Sequence, residues 1–279
     1  MNDKEIRYQK ERELGEIITD SFEFLKSELR PLSKLIIRYV LPFVLIYAGL
    51  QVYVQMKVIG GIDFTEPESF MANIGPVYMN ILLASLFAVF VQSLLAGSFY
   101  SYLEIYITKG KGNFDPDELK DVLFSNTLTA LGANLVVYFV TLIGVIMCIL
   151  PGIYFANSLS LVLMVLFMEK KGLADALNRS WKLVHTQWWN TFIINVLAVV
   201  MIYVAGFIVT LPSTLIGSFG FENSTGGTEM PDFPSLYWIL QGLSAAVSVL
   251  LWVIPFTFLA FQYYNLKERS EPAPPDEDF

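Results

Sequence analysis

Six apolar runs, at about 35–56, 77–107, 129–150, 153–168, 191–211 and 236–266, are each close to 20 residues or longer. A helix of about 20 apolar residues crosses a hydrocarbon core roughly 30 Å thick, and it satisfies its own backbone hydrogen bonds in lipid. A soluble core has no use for six such runs. Hydrophobic residues make up 54% of the chain and charged residues 16%. The expected fold is therefore all-α: a polytopic membrane protein of six transmembrane helices, with amphipathic cytoplasmic-side helices before spans 1, 3 and 5.

The basic residues test this span count. Across the alternating connectors and termini, 17 of the 18 Lys and Arg residues fall on one side and one, Lys57, on the other. Basic loops stay cytoplasmic, which predicts that both termini face the cytoplasm. A missed span would scramble the alternation. Tyr39, Tyr100, Tyr102, Tyr106, Trp188, Trp189, Tyr263 and Tyr264 fall at the inner boundary, and Tyr53, Tyr78, Tyr237 and Trp238 at the outer one, as expected for aromatic belts. No early apolar segment of the signal-peptide kind follows the opening MNDKEIRYQKERELGE.

In chain order, residues 1–34 read as a charged segment followed by an interfacial helix. Leu14, Ile17, Ile18, Phe22, Leu25, Leu29 and Leu32 form its apolar stripe; an ordinary soluble helix is the alternative. Residues 35–266 form the transmembrane domain, and 267–279 an acidic, Pro-rich tail expected to be disordered. Asp115 is the expected N-cap of a helix with Pro116 in its first turn and Glu118 completing a capping box. Pro151-Gly152 is expected to be the entire turn between spans 3 and 4. The second run is longer than a bilayer needs, so it is expected to tilt, to bend near Gly97, or to emerge on one side with Tyr100, Tyr102, Glu104 and Tyr106. A kink is expected at Pro255, and an irregular loop over 212–235 with a sequon at Asn223-Ser224-Thr225. Amphipathic segment plus hairpin recurs three times. Ser21, Phe22, Leu25 and Leu35 align without a gap on Ser180, Trp181, Val184 and Ile194, as a duplication would give; shared helical physics gives the same pattern.

Chemistry is sparse. The interiors of the spans carry Asn80, Gln92, Asn134, Asn157 and Asn195 but essentially no ionisable groups, and such amides serve interhelical bonding more often than catalysis. The lone cysteine, Cys148, can form no intrachain disulfide. His185 is the one histidine, which excludes a histidine metal cluster; headgroup-level contact is the favoured role over a catalytic base. Arg179, Trp181, Lys182, His185, Trp188 and Trp189 are candidate contacts to lipid headgroups or a partner, with simple anchoring as the bland alternative. Glu169 and Arg179 are a candidate structural ion pair. No catalytic, cofactor or metal residue is expected, and no nucleic-acid partner.

PGIY at 151–154, Glu169, Gly172, Ala176-Leu177, Arg179-Ser180-Trp181 and Trp188-Trp189, with the opening LGEIITDSFEFLK, resemble one bacterial group. It is the membrane-domain family of glycerophosphoryl diester phosphodiesterases, together with the YciC-like integral membrane proteins. The resemblance implies a bacterial cytoplasmic membrane. It does not carry the enzyme's activity, because one histidine cannot supply the paired catalytic histidines of the phosphodiesterase barrel. The expected function is non-catalytic: an accessory or scaffold subunit that binds membrane lipids or other envelope proteins. A transporter of lipids or small molecules built from repeated hairpins is the alternative, and an embedded hydrolase ranks third.

Overall fold

The computed structural model describes residues 8, 10–59, 67–111, 113–114, 116–223 and 233–271. These residues form α1 (Leu14–Leu35), α2 (Leu41–Tyr53), α3 (Pro67–Lys109), α4 (Lys120–Met147), α5 (Ile149–Ser158), α6 (Val162–Glu169), α7 (Leu173–Thr186), α8 (Trp188–Asn223), α9 (Ser235–Leu250) and α10 (Val253–Ser270). No strand occurs among them. Six stretches are long and apolar enough to cross a membrane: Leu14–Lys57, Ile74–Lys109, Lys120–Met147, Ile149–Glu169, Trp188–Ser218 and Ser235–Ser270. The chain is a multi-pass, all-helical membrane protein. Large apolar side chains left uncovered on these helices, such as Ile146 and Met147 of α4 or Tyr203 and Phe207 of α8, are surface that acyl chains cover.

The chain divides into two compact units. The first comprises Met1–Ile37, Ser93–Met201 and Val253–Phe279. Within it, α4 and α5 form a tight hairpin. A Cβ on Gly144 would lie 2.9 Å from the Cα and N of Gly152, so only glycine allows this approach. Gly97 plays the same part between α3 and α4, where a Cβ would lie 3.2 Å from the Asn126–Thr127 backbone. Asn126 Nδ2 donates to Ser101 Oγ (2.6 Å) and Asn134 Nδ2 to Ser93 Oγ (2.9 Å), tying the same two helices. The carboxylate of Glu28, buried on α1, accepts the Tyr102 hydroxyl at 2.6 Å. Tyr8 packs against Phe24, Tyr106, Phe261 and Tyr264, and burial, then Tyr106 and Glu28, hold its phenol well above the ordinary pKa.

The second unit comprises Arg38–Gln92 and Ile202–Trp252. In it α2 packs along α9, and a Cβ on Gly242 would stand 3.4 Å from Val52. Phe43 meets Phe90 edge to face at 5.7 Å.

Several sequence expectations shift. The break between spans 3 and 4 is extended Cys148 (φ −175°, ψ 153°), and Pro151-Gly152 lie in the first turn of α5. Pro151 has no N–H for the Met147 carbonyl, so α4 ends at Met147. The same rule places the sixth-span break at Leu251–Trp252, because Pro255 cannot bond Leu251. Helix α3 is continuous through Gly97 and begins at Pro67, and α8 continues to Asn223, so 212–223 is helical rather than looped. The lead-in to span 3 is one 3₁₀ turn, Pro116–Leu119, joined to α4. Asp115 and most of the sequon lie outside the described residues.

The face of α1 that packs inward carries Ile17, Ser21, Phe24, Glu28 and Leu32, while Phe22 and Leu29 of the apolar stripe are exposed. Buried and exposed apolar strips thus lie side by side on one helix. Helix α10 runs through Ser270, past the boundary expected at 266. Lys267, Glu268 and Arg269 are good helix formers, and Arg269 is anchored to Asn265 Oδ1 (3.1 Å) and the Arg12 carbonyl (3.1 Å). Residues 272–279 of the expected tail lie outside the described residues.

Candidate functional site

Helix α7 is the one amphipathic segment set off from its neighbours at both ends. Lys170 closes α6 in the left-handed region (φ 52°, ψ 32°) and is the single non-glycine residue with positive φ among the described residues. Gly172 then caps α7 in an extended conformation, and Asp175 sits in the first turn, where a carboxylate suits the helix dipole. At the far end Gln187 breaks the helix before α8. Ala176, Ser180, Leu183 and Val184 form the buried face, and Ser180 Oγ donates to the Ser158 carbonyl of α5 at 3.0 Å.

Glu169 joins α6 to α7 and α10. Its Oε1 accepts from Arg179 Nε (3.2 Å) and from the Tyr263 hydroxyl (2.9 Å), while Lys171 Nζ lies 2.6 Å from Oε2. The second face of the Arg179 guanidinium meets Glu271, Nη2 to Oε1 at 2.8 Å. Burial alone would lower the Arg179 pKa; the hydrogen bond and charge of Glu169, with Glu271, outweigh it and raise it, so the guanidinium stays charged. Lys170 pairs with Glu104 of α3 at 2.6 Å.

Beside this cluster lies a cleft of about 310 Å³ lined by Lys171, Asp175, Asn178, Arg179 and Lys182. Intervals of three and four place Asp175, Asn178, Arg179 and Lys182 on one side of α7, and Lys171 comes from the connector before it. Amide and cationic donors predominate in the lining, which suits an anionic group with several acceptor oxygens.

The aromatic candidates occupy the adjoining strip. Trp181 stacks on His185 (4.9 Å between centroids), Tyr154 stacks on Trp188 (5.7 Å), and Trp188 stacks on Phe192 (5.3 Å). His185 Nδ1 lies 2.8 Å from the Trp181 carbonyl and Nε2 lies 2.6 Å from the Tyr154 hydroxyl. A carbonyl only accepts, so Nδ1 carries a proton and donates to it. Both nitrogens are engaged within the chain. Trp188 Nε1 donates to Ser158 Oγ at 3.3 Å, and its carbonyl accepts from Asn157, which in turn accepts from Asn195 (2.8 Å). Trp189 turns outward, 69% exposed.

The structure thus divides the six expected contact residues. Arg179 and Lys182 line the cleft, and Trp181, His185, Trp188 and Trp189 form the aromatic strip. Asp175 and Asn178 are not among the expected contacts, although their helical spacing with Arg179 is a usable signal; Lys171, in the connector before α7, is readable from the sequence as a partner of Glu169. Tyr263 and Glu271 carried none, because Tyr263 is 94 residues from its partner. Among the described residues no group of three or more His, Cys, Asp or Glu side chains is placed to hold a metal ion.

The chain matches no curated protein and no solved structure. A family described as a domain of unknown function, DUF7847, matches residues 82–266, more than half of the chain, and the chain belongs to that family.

Proposed function

We propose that this protein is a non-catalytic accessory or scaffold subunit of a bacterial cytoplasmic membrane that engages anionic lipid through α7. The observation that carries the reading is the pairing on α7 of a cationic cleft with an aromatic strip leading directly into an apolar span. Tryptophan at headgroup depth beside Lys and Arg is the combination that holds a helix at an anionic interface, each cation contributing about 1 kcal/mol. The one-sided distribution of Lys and Arg supports a cytoplasmic position for α7 and both termini. The likeness of PGIY and the α7 residues to the YciC-like group supports the bacterial cytoplasmic membrane. Other envelope proteins are the proposed further partners.

The test is energy transfer from tryptophan to dansyl-labelled lipid in nanodiscs that hold the full chain. Labelled phosphatidylglycerol is expected to outcompete labelled phosphatidylcholine, and Lys182→Gln to weaken that preference about fivefold. Equal transfer to both lipids in the unmodified protein would refute the reading.

A further inference from the structure

We propose that the α7 cleft takes a lipid phosphodiester headgroup in exchange for Glu271, so that anionic lipid and the C-terminal segment compete for Arg179. The inference rests on the lipid reading above and adds a named competitor.

The two carboxylates on Arg179 are held very differently. Glu169 is fixed by three donors, from α7, α10 and the connector between α6 and α7, and its side chain is only 10% exposed. Glu271 reaches Nη2 from beyond the last turn of α10, and its side chain is 56% exposed. With one partner this exposed, the pair contributes less than the one to Glu169 and exchanges more readily. The Nη2 face of Arg179 is therefore the replaceable one.

Charge gives the class of ligand. With Glu271 docked, Lys171, Arg179 and Lys182 are matched by Glu169, Asp175 and Glu271. When Glu271 leaves, one positive charge is uncompensated. A singly charged phosphodiester restores the balance one for one. It also offers more acceptor oxygens than a carboxylate to the guanidinium, the Lys182 ammonium and the Asn178 amide. The cleft, about 310 Å³, has room for a glycerophosphate-sized group.

The experiment titrates dansyl-phosphatidylglycerol into nanodiscs of the full chain with phosphatidylcholine background. It compares the unmodified protein, Glu271→Gln, Glu268→Gln and Lys182→Gln. Glu268 sits on the same helix end and supplies the same charge change away from Arg179. The expected result is tighter binding by about two- to fivefold for Glu271→Gln, little change for Glu268→Gln, and weakening for Lys182→Gln. Equal gains in the two Glu variants would reduce the effect to general electrostatics and overturn the exchange. An unchanged Glu271→Gln beside a weakened Lys182→Gln would overturn it too, while leaving the lipid reading intact. Absence of any anionic preference would remove both. Displacement of the labelled lipid by millimolar inorganic phosphate, lost in Lys182→Gln, would assign the cleft to a soluble phosphate instead and refute the headgroup.

Discussion

Replacing Gly144 with alanine tests the hairpin that sets α5, and through it α7, in place. The new methyl would stand 2.9 Å from both Cα and N of Gly152 and 2.7 Å from Phe155 Cδ2. The Phe155 ring can turn away, but the Gly152 backbone cannot move without α5. Carbon atoms in contact sit about 3.5–4.0 Å apart, so α4 and α5 must separate by roughly 0.6–1 Å. Overpacking of this kind costs about 1–3 kcal/mol, and about 2 kcal/mol lowers the melting temperature of a chain this size by roughly 4–8 °C.

Gly132 of the same helix is the control, since no atom lies within 4 Å of its added Cβ. Gly132→Ala should gain up to about 1 kcal/mol through reduced backbone entropy of the unfolded chain. Intrinsic-fluorescence melts in one detergent compare the two. A Gly152→Ala change meets Val145 N at 2.9 Å across the same contact, so the double variant should lose less than the two single losses combined. A Gly144→Ala protein as stable as the unmodified one, or a Gly132→Ala protein equally destabilised, would refute the packing argument.

Other outcomes follow from the ionic contacts. Glu169→Gln should destabilise by about 1–3 kcal/mol, since it removes the charge-assisted bonds from Arg179 and Lys171. Tyr263→Phe should cost about 1 kcal/mol alone and less in the Glu169→Gln background, because both act on one contact; additive melts would contradict the shared hub. Tyr102→Phe strips the hydroxyl from buried Glu28 and should cost about 1–3 kcal/mol in the same melt; an unchanged melting temperature would rule out that bond. Reporter fusions should place residue 279 in the cytoplasm and the 224–232 connector outside; the reverse would overturn the orientation drawn from the basic residues.

Much of the architecture was legible because lipid imposes one rule everywhere. Each span must be apolar for its full length and helical throughout, and the Lys and Arg positions record the alternation. The helix breaks were harder to read. Pro151 and Pro255 were visible, but a proline disrupts the carbonyl four residues earlier, so the breaks fall at Cys148 and Leu251. Pro76 and Pro212, by contrast, lie inside continuous helices, which local sequence does not distinguish.

On α1, periodicity located the apolar stripe but not which strip would face protein. The helix buries Ser21 and Glu28 while Phe22 and Leu29 stay uncovered. Ser21 and Ser180, aligned in the repeat comparison, are both fully buried, and so are Leu35 and Ile194, whereas Phe22 and Trp181 are not. Arg179 and Glu169, ten residues apart, are legible as a pair in the sequence. Glu271 opens the acidic, Pro-rich end of the sequence, and nothing local marks its contact with Arg179. Long-range partners of that kind emerge only when tertiary packing brings helix ends together.

The lipid carried by the purified protein tests the central claim most directly. Mild-detergent extraction and mass spectrometry of bound lipid should find phosphatidylglycerol-type anionic lipid enriched over its share of the source membrane. The Lys182→Gln variant should lose that enrichment while retaining its melting temperature to within a few degrees. Identical bound-lipid profiles in the two proteins, matching the bulk membrane, would contradict the account.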